Sequence, residues 1–521
     1  MNGSRTQVVN VRAIQALVAK RAKPRWLSLP VVVFGVLAPV GIGIQVQAEH
    51  LAGALLAYIN CLITGYACMR FFKGHWLPGA IPLLFLPNTV ISWCFAPLCF
   101  AMFFPDHTYG LMRPMGGNSA LYRLAHYQLV TTMFLLPYIG VVWLFVKKSR
   151  DNFHGSRFES NRKALAYSCS FIVLGVLGYN AAARLANLSE AATYWADGLF
   201  KYYKTLMIAV GAFFLRIDRL TRYTLLGILI GFGILYTLAN KREFAAYPLL
   251  SLAIGILFFS GVRPNSKTMF VGVVMLVLPV YFTLGDVTRR VGGLAPGFEN
   301  LGRRMQIITG RSGEYLEKVN PIGATLGRFF TTGGHSVVVH TPENVPYMGF
   351  NPGKYVSEMF RSLVPRRQMT MADYGHNYHL VRYGHRVTDK TAVGVTLIGH
   401  FWMLGGTLFI IAGGVLTGLF HGALVMMVRR AWSHSMAMAL ILIAVQAHAL
   451  IWVRGYDFIR HWRDVVWRLV FAVVIYVLYR IFAGTLRRAT SPEDTYPALP
   501  MKQPRVRSVA GWNQQRLTGS R

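Results

Sequence analysis

The residues of this chain best suited to chemistry lie in one polar stretch, 286–390, set between long apolar runs. It holds Arg366-Arg367 directly after Pro365, and two Tyr-Gly-His triplets, Tyr374-Gly375-His376 and Tyr383-Gly384-His385. The stretch is rich in Arg and His, poorer in carboxylates and free of Cys. A guanidinium is a rigid fork of N–H donors that matches phosphate oxygens two at a time, and a low dielectric nearby strengthens that match. Pro365 fixes the backbone just before the two forks. This balance suits a phosphate or pyrophosphate head group held at a membrane face. It does not suit a thiol nucleophile or a metal centre.

A transfer reaction that expels a diphosphate needs cations on the leaving group and an acceptor for the proton of the incoming hydroxyl. Arg366 and Arg367 are the first candidates for the cationic role, followed by Arg382, Arg386 and Arg290. His376, His385 and Asp373 are the candidates for the second, since a neutral imidazole with an ordinary pKa of about 6.5 accepts a proton near neutrality. The plain alternative for each Arg is snorkelling toward lipid head groups, and for each His a hydrogen bond at the interface. His376 and His379 are spaced to share a helix face, but no carboxylate or Cys completes a ligand set, so neither a metal nor an organic cofactor is expected. Arg242, beside Lys241, and Arg328, in an apolar Gly-rich stretch where a charge usually has a partner, are secondary candidates for substrate binding. His448, Gln446 and Arg468 fall within apolar runs and are expected to make interhelical hydrogen bonds.

The elements that position these groups follow from hydropathy. The 521-residue chain is 54% hydrophobic and only 14% charged, with a mean hydropathy of +0.40. Repeated apolar runs of roughly 18 to 25 residues specify bilayer-spanning helices. Spans are expected near 27–46, 51–69, 80–104, 124–146, 164–183, 203–215, 223–239, 246–262, 268–285, 394–418, 435–453 and 465–483. The fold class is therefore all-α and polytopic, with about twelve transmembrane helices (ten to twelve).

The formal net charge of +34 does not imply nucleic acid. Lys and Arg gather in the tails and short loops, where they orient spans and meet anionic lipid. Twelve spans bring these basic segments to one side. The order is then a cytoplasmic N-tail, 1–26; spans one to nine, 27–285; a large extracytoplasmic loop, 286–393; spans ten to twelve, 394–484; and a basic cytoplasmic C-tail, 485–521. The five cysteines, Cys61, Cys68, Cys94, Cys99 and Cys169, sit in apolar runs without metal spacing. The first apolar run follows a basic segment and is read as an uncleaved helix rather than a signal peptide.

The order Thr341-Pro342, Pro346-Tyr347-Met348-Gly349, Tyr355 and Leu363-Val364-Pro365-Arg366 resembles the outer loop of Wzy-type O-antigen and exopolysaccharide polymerases. The next span, with Gly399, Gly405 and Gly406, fits that family's pattern. Trp-Pro and Lys-Pro, usual after the Pro-Arg pair, are replaced here by 367–373.

The resemblance implies a GT-C-like architecture in a bacterial inner membrane. The implied activity is metal-independent joining of polyprenyl-diphosphate-linked repeat units into O-antigen, capsule or exopolysaccharide on the outer face. It adds Tyr347 and Tyr355 as substrate-binding candidates. Implied partners are the lipid-linked oligosaccharide, membrane lipids, a chain-length regulator and other polysaccharide assembly proteins. An O-antigen ligase-like transferase and a flippase or transporter of lipid-linked glycan are the competing readings. An exosortase-like peptidase would need a Cys in this loop, and a metal-dependent polyprenyl-phosphate transferase acidic residues in the first outer loop; this loop has no Cys and the first holds little beyond Glu49.

Overall fold

Long apolar runs have to satisfy their backbone polar groups internally, and the helix is the element that does so within one segment. The computed structural model describes residues 33–74, 79–104, 121, 123–148, 223, 224, 227, 306, 332–343, 346–364, 395–451 and 457–489. Among them the regular structure is helical throughout: α1 Val33–Gln45, α2 Ala48–Gly74, α3 Ala80–Phe103, α4 Leu124–Lys148, α5 Thr332–His340, α6 Pro352–Arg361, α7 Thr396–Gly405, α8 Thr407–His434, α9 Met436–Ile451 and α10 Phe458–Ala489. Five of these, α2, α3, α4, α8 and α10, are long and apolar enough to cross a membrane. The chain is a membrane protein whose described residues form only helices. The expected spans between 164 and 285 lie outside the described residues, apart from 223, 224 and 227.

α10 shows why a bilayer is needed. Val465, Arg468, Ala472, Ile475 and Tyr479 are buried against neighbouring helices, a spacing that keeps one helix face inward. On the other face Val470, Val473, Val474, Val477 and Ile481 are exposed. In water such an apolar stripe would aggregate; in lipid it is solvated.

α4 lies at the centre, packed along α2 on one side and α8 on the other, with α9 against α3 and α10. Glycines on α8 allow the close approach to α4. A Cβ at Gly414 would collide with the backbone carbonyl of Phe134, an atom that cannot move aside. A polar knot ties α2, α3 and α4 together: Asn60 Nδ2 donates to Gln128 O at 3.1 Å, Thr132 Oγ1 to Asn60 Oδ1 at 2.9 Å, and Gln128 Nε2 to Trp93 O at 2.8 Å. Dispersion and such bonds hold membrane helices together, because apolar burial gains little against lipid tails. Gln446 Nε2 donates to Val465 O at 3.1 Å and Arg468 Nη1 to Val445 O at 3.3 Å, joining α9 to α10. The side chain of His448 lies outside the described residues.

Two boundaries differ from those read off hydropathy. The run 394–418 is two helices: Gly406, at φ 73° and ψ −141°, ends α7 and starts α8. Glycine takes this left-handed backbone at little cost. The last helix starts at Phe458, not 465, because the charged residues 460, 463, 464 and 468 belong to it. Asp457 caps it, its Oδ1 accepting from Arg460 N at 2.8 Å, and Arg463 pairs with Asp464 at 3.2 Å. In the polar stretch, α6 begins at Pro352 because Asn351 caps it through Lys354 N at 3.0 Å and proline is favoured in a first turn.

Candidate functional site

The described parts of 332–364 fold back onto the membrane helices around α7. In α5, Gly334 faces Gly399 of α7, and a Cβ on Gly399 would lie 3.4 Å from the Gly334 Cα. The turn after α5 carries a cis Thr341-Pro342 bond. Trp402 Nε1 of α7 donates to Thr341 O at 2.9 Å, and Arg123, just before α4, is ion-paired with Glu343. The Arg123 guanidinium holds the Glu343 carboxyl below its ordinary 4.5.

Residues 346–350 then pass along the end of α7, with Gly349 at φ 74°. Met348 N donates to Met403 O at 2.9 Å. The Tyr347 ring lies edge-on to Trp402 at 6.2 Å and across the helix break, where a Cβ on Gly406 would be 2.6 Å from the Tyr347 hydroxyl. Phe350 packs on both Phe409 and Tyr355.

α6 is fastened by one buried bond. The Tyr355 hydroxyl and His400 Nε2 are 3.0 Å apart, and both residues are buried. Burial pushes the Tyr355 hydroxyl well above its usual 10, with a smaller push from Asp457 at the start of α10. The Tyr355–His400 bond thus joins α6 to α7, with Asp457 at the start of α10 acting on it electrostatically. A buried hydroxyl–imidazole pair left unmade costs about 1–3 kcal/mol, so this bond holds α6 firmly.

The rest of α6 is turned outward: Val356 and Phe360 are 50% and 63% exposed at i and i+4, Val364 just past the helix is 52% exposed, and exposed Lys354 and Arg361 flank them. The chain passes directly from Val364 into Pro365-Arg366-Arg367.

Of the residues singled out from sequence, Tyr347 and Tyr355 are described and lie together at α7. Tyr347 is exposed, with burial raising its hydroxyl modestly, while Tyr355 is committed to His400. Arg242, Arg290, Arg328, Arg366, Arg367, Asp373, His376, Arg382, His385 and Arg386 lie outside the described residues. Sequence reasoning missed the joint roles of His400, Trp402, Glu343 and Asp457. Only Asp457 carried a local signal, as a capping residue ahead of an apolar run. Comparison with protein-family models, with curated proteins and with solved structures found no match to this chain.

Proposed function

We propose that this protein is a membrane glycosyltransferase of the polymerase type, joining polyprenyl-diphosphate-linked oligosaccharide units at the outer face of a bacterial inner membrane. The carrying observation is α6: locked to the membrane helices by Tyr355–His400, exposing Val356 and Phe360 with Val364 just past it, and continuous with Arg366-Arg367. An apolar stripe flanked by Lys and Arg suits the boundary between acyl chains and head groups. The diphosphate of a polyprenyl carrier lies at that boundary too. The reading includes about twelve spans, a GT-C-like arrangement and both termini in the cytoplasm.

In the proposed reaction an acceptor hydroxyl attacks the anomeric carbon of the donor sugar, and the bond from that carbon to the diphosphate oxygen breaks. Arg366 and Arg367 neutralise the departing diphosphate, supported by Arg290, Arg382 and Arg386. His376, His385 or Asp373 takes the hydroxyl proton. Tyr347, exposed beside the helix break, offers a ring and a hydroxyl to substrate. Tyr355 and His400, being committed to each other, act as positioning residues.

Deletion of the gene and analysis of glycan length tests the reading. A polymerase mutant accumulates single lipid-linked units at the outer face; a ligase mutant leaves full-length polymer on the carrier; a flippase mutant strands single units on the inner face. Arg366→Ala should abolish polymer at normal protein abundance, and Arg366→Lys should restore little, because an ammonium lacks the fork. Normal chain lengths from Arg366→Ala would remove that residue from the site.

A further inference from the structure

A second polar chain runs through the apolar interior, away from α6. The Tyr138 hydroxyl of α4 lies 2.8 Å from Nδ1 of His421 on α8, and His421 Nε2 lies 2.8 Å from Nε2 of His461 on α10. All three side chains are fully buried. His421 is midway along α8, roughly 20 Å from either end at about 1.5 Å per residue. Aromatic rings wall the chain: Phe85 sits 4.8 Å from His421 edge-on, and Phe420 packs on both imidazoles. Ionisable groups at such depth are expensive and mark functional sites by default.

The chain is open at one end: His461 Nδ1 has no hydrogen-bond partner among the described residues, and a bare ring nitrogen there can take up a proton. On α10 the charged neighbours of His461 are Asp464, one turn along, and Arg468, which stands 3.9 Å from Asp464 and offsets its charge. Besides His421, Cys68 of α2 is a titratable group acting on Tyr138. α9, packed on α10, brings no charged side chain among those described.

We propose that Tyr138, His421 and His461 form an intramembrane proton relay, binding one proton at His461 Nδ1 and passing one on at the Tyr138 hydroxyl. The three groups admit two hydrogen-bond polarities. In one, His461 Nε2–H donates to His421 Nε2 and His421 Nδ1–H donates to the Tyr138 oxygen, leaving His461 Nδ1 as a bare acceptor. A proton added there makes an imidazolium, with Asp464 one turn along the same helix. Transfer of the Nε2 proton to His421, and of the His421 Nδ1 proton to the Tyr138 oxygen, releases the hydroxyl proton from Tyr138. The result is the opposite polarity, with Tyr138 donating to His421 and His421 to His461. One proton enters and one leaves, and ring reorientation resets the chain. This inference does not rest on the glycosyltransferase reading.

The test is nitrogen-15 NMR of the full chain, histidine-labelled in lipid nanodiscs and titrated from about pH 9 to about pH 4. Scalar coupling between the two Nε2 nuclei across their hydrogen bond identifies the pair in the wild type, and its loss in His461→Gln confirms the assignment. The expected result is uptake of a single proton by the pair, with both Nε2 signals moving together. Tyr138→Phe keeps both rings and removes only the hydroxyl, so it should move that midpoint by about one pH unit or more. A pair that stays neutral in one fixed tautomer, two rings that titrate independently, or a midpoint unmoved in Tyr138→Phe would each overturn the relay. No sugar substrate enters this measurement, so its outcome stands apart from that of the chain-length experiment.

Discussion

Tyr355→Phe isolates the bond that fastens α6. The substitution keeps the ring and its contact with Phe350, and removes only the hydroxyl 3.0 Å from His400 Nε2. A buried imidazole nitrogen that loses its partner costs about 1–3 kcal/mol, and about 2 kcal/mol is a reasonable centre. At about 1.4 kcal/mol per factor of ten, local opening of α6 should become roughly 30-fold more populated. Hydrogen exchange followed by mass spectrometry in nanodiscs reads this directly, because the Tyr355 and Ser362 amides are bonded to Asn351 O and Glu358 O within α6. Peptides covering 351–364 should exchange roughly 30-fold faster while those from α4 and α8 stay unchanged. His400→Leu alone should act similarly by stranding the hydroxyl. The double substitution, with both polar partners gone, should recover much of the loss, since replacing both ends of a buried bond by apolar groups is nearly neutral. Additive single effects, or a change below about threefold in Tyr355→Phe, would refute the coupling that the geometry implies.

The Arg123–Glu343 pair gives the turn after α5 an acid limit. Because the guanidinium lowers the folded Glu343 pKa beneath its ordinary 4.5, the stabilisation is fully present above that value and fades as pH falls through the lowered one. The wild type should therefore protect 332–343 from exchange better than Glu343→Gln near neutrality, with the two converging in acid; a gap that persists in acid would assign the difference to something other than this charge. Gly414→Leu, which meets the Phe134 carbonyl, should lower stability by about 1–3 kcal/mol, seen as a drop in detergent melting temperature. Gly140→Leu on α4, with open space around it, is the control and should melt close to wild type. Equal melting of the two variants would deny the close α4–α8 contact.

Helical class and membrane character were readable directly, because a run of apolar residues long enough to span the bilayer has essentially one way to satisfy its backbone there. The runs at 80–104 and 124–146 match α3 Ala80–Phe103 and α4 Leu124–Lys148 to within two residues, and 51–69 lies inside the longer α2 Ala48–Gly74. Composition also made the stretch around Arg366 stand out, and its identification remains a reading of residue types. Hydropathy averaging misplaced the ends of other elements, since it treats Arg460, Arg463 and Asp464 as solvent-seeking when α10 carries them paired. It also runs through Gly406, whose backbone angle is a local choice that an apolar average does not register.

The pairings belonged to tertiary structure alone. Tyr355 and His400 are 45 residues apart and Tyr138 and His421 are 283 apart. No local spacing encodes such distances; helix packing brings them together. A lone histidine in an apolar run reads as a spacer or a bridge until its neighbour is known. The sequence by itself determined that helices would cross a bilayer and that cations would gather beside it, since both follow from residue type. Which buried hydroxyl meets which imidazole was decided by how α4, α7, α8 and α10 lie against one another, because contact depends on where helices cross and not on how far apart their residues stand in the chain.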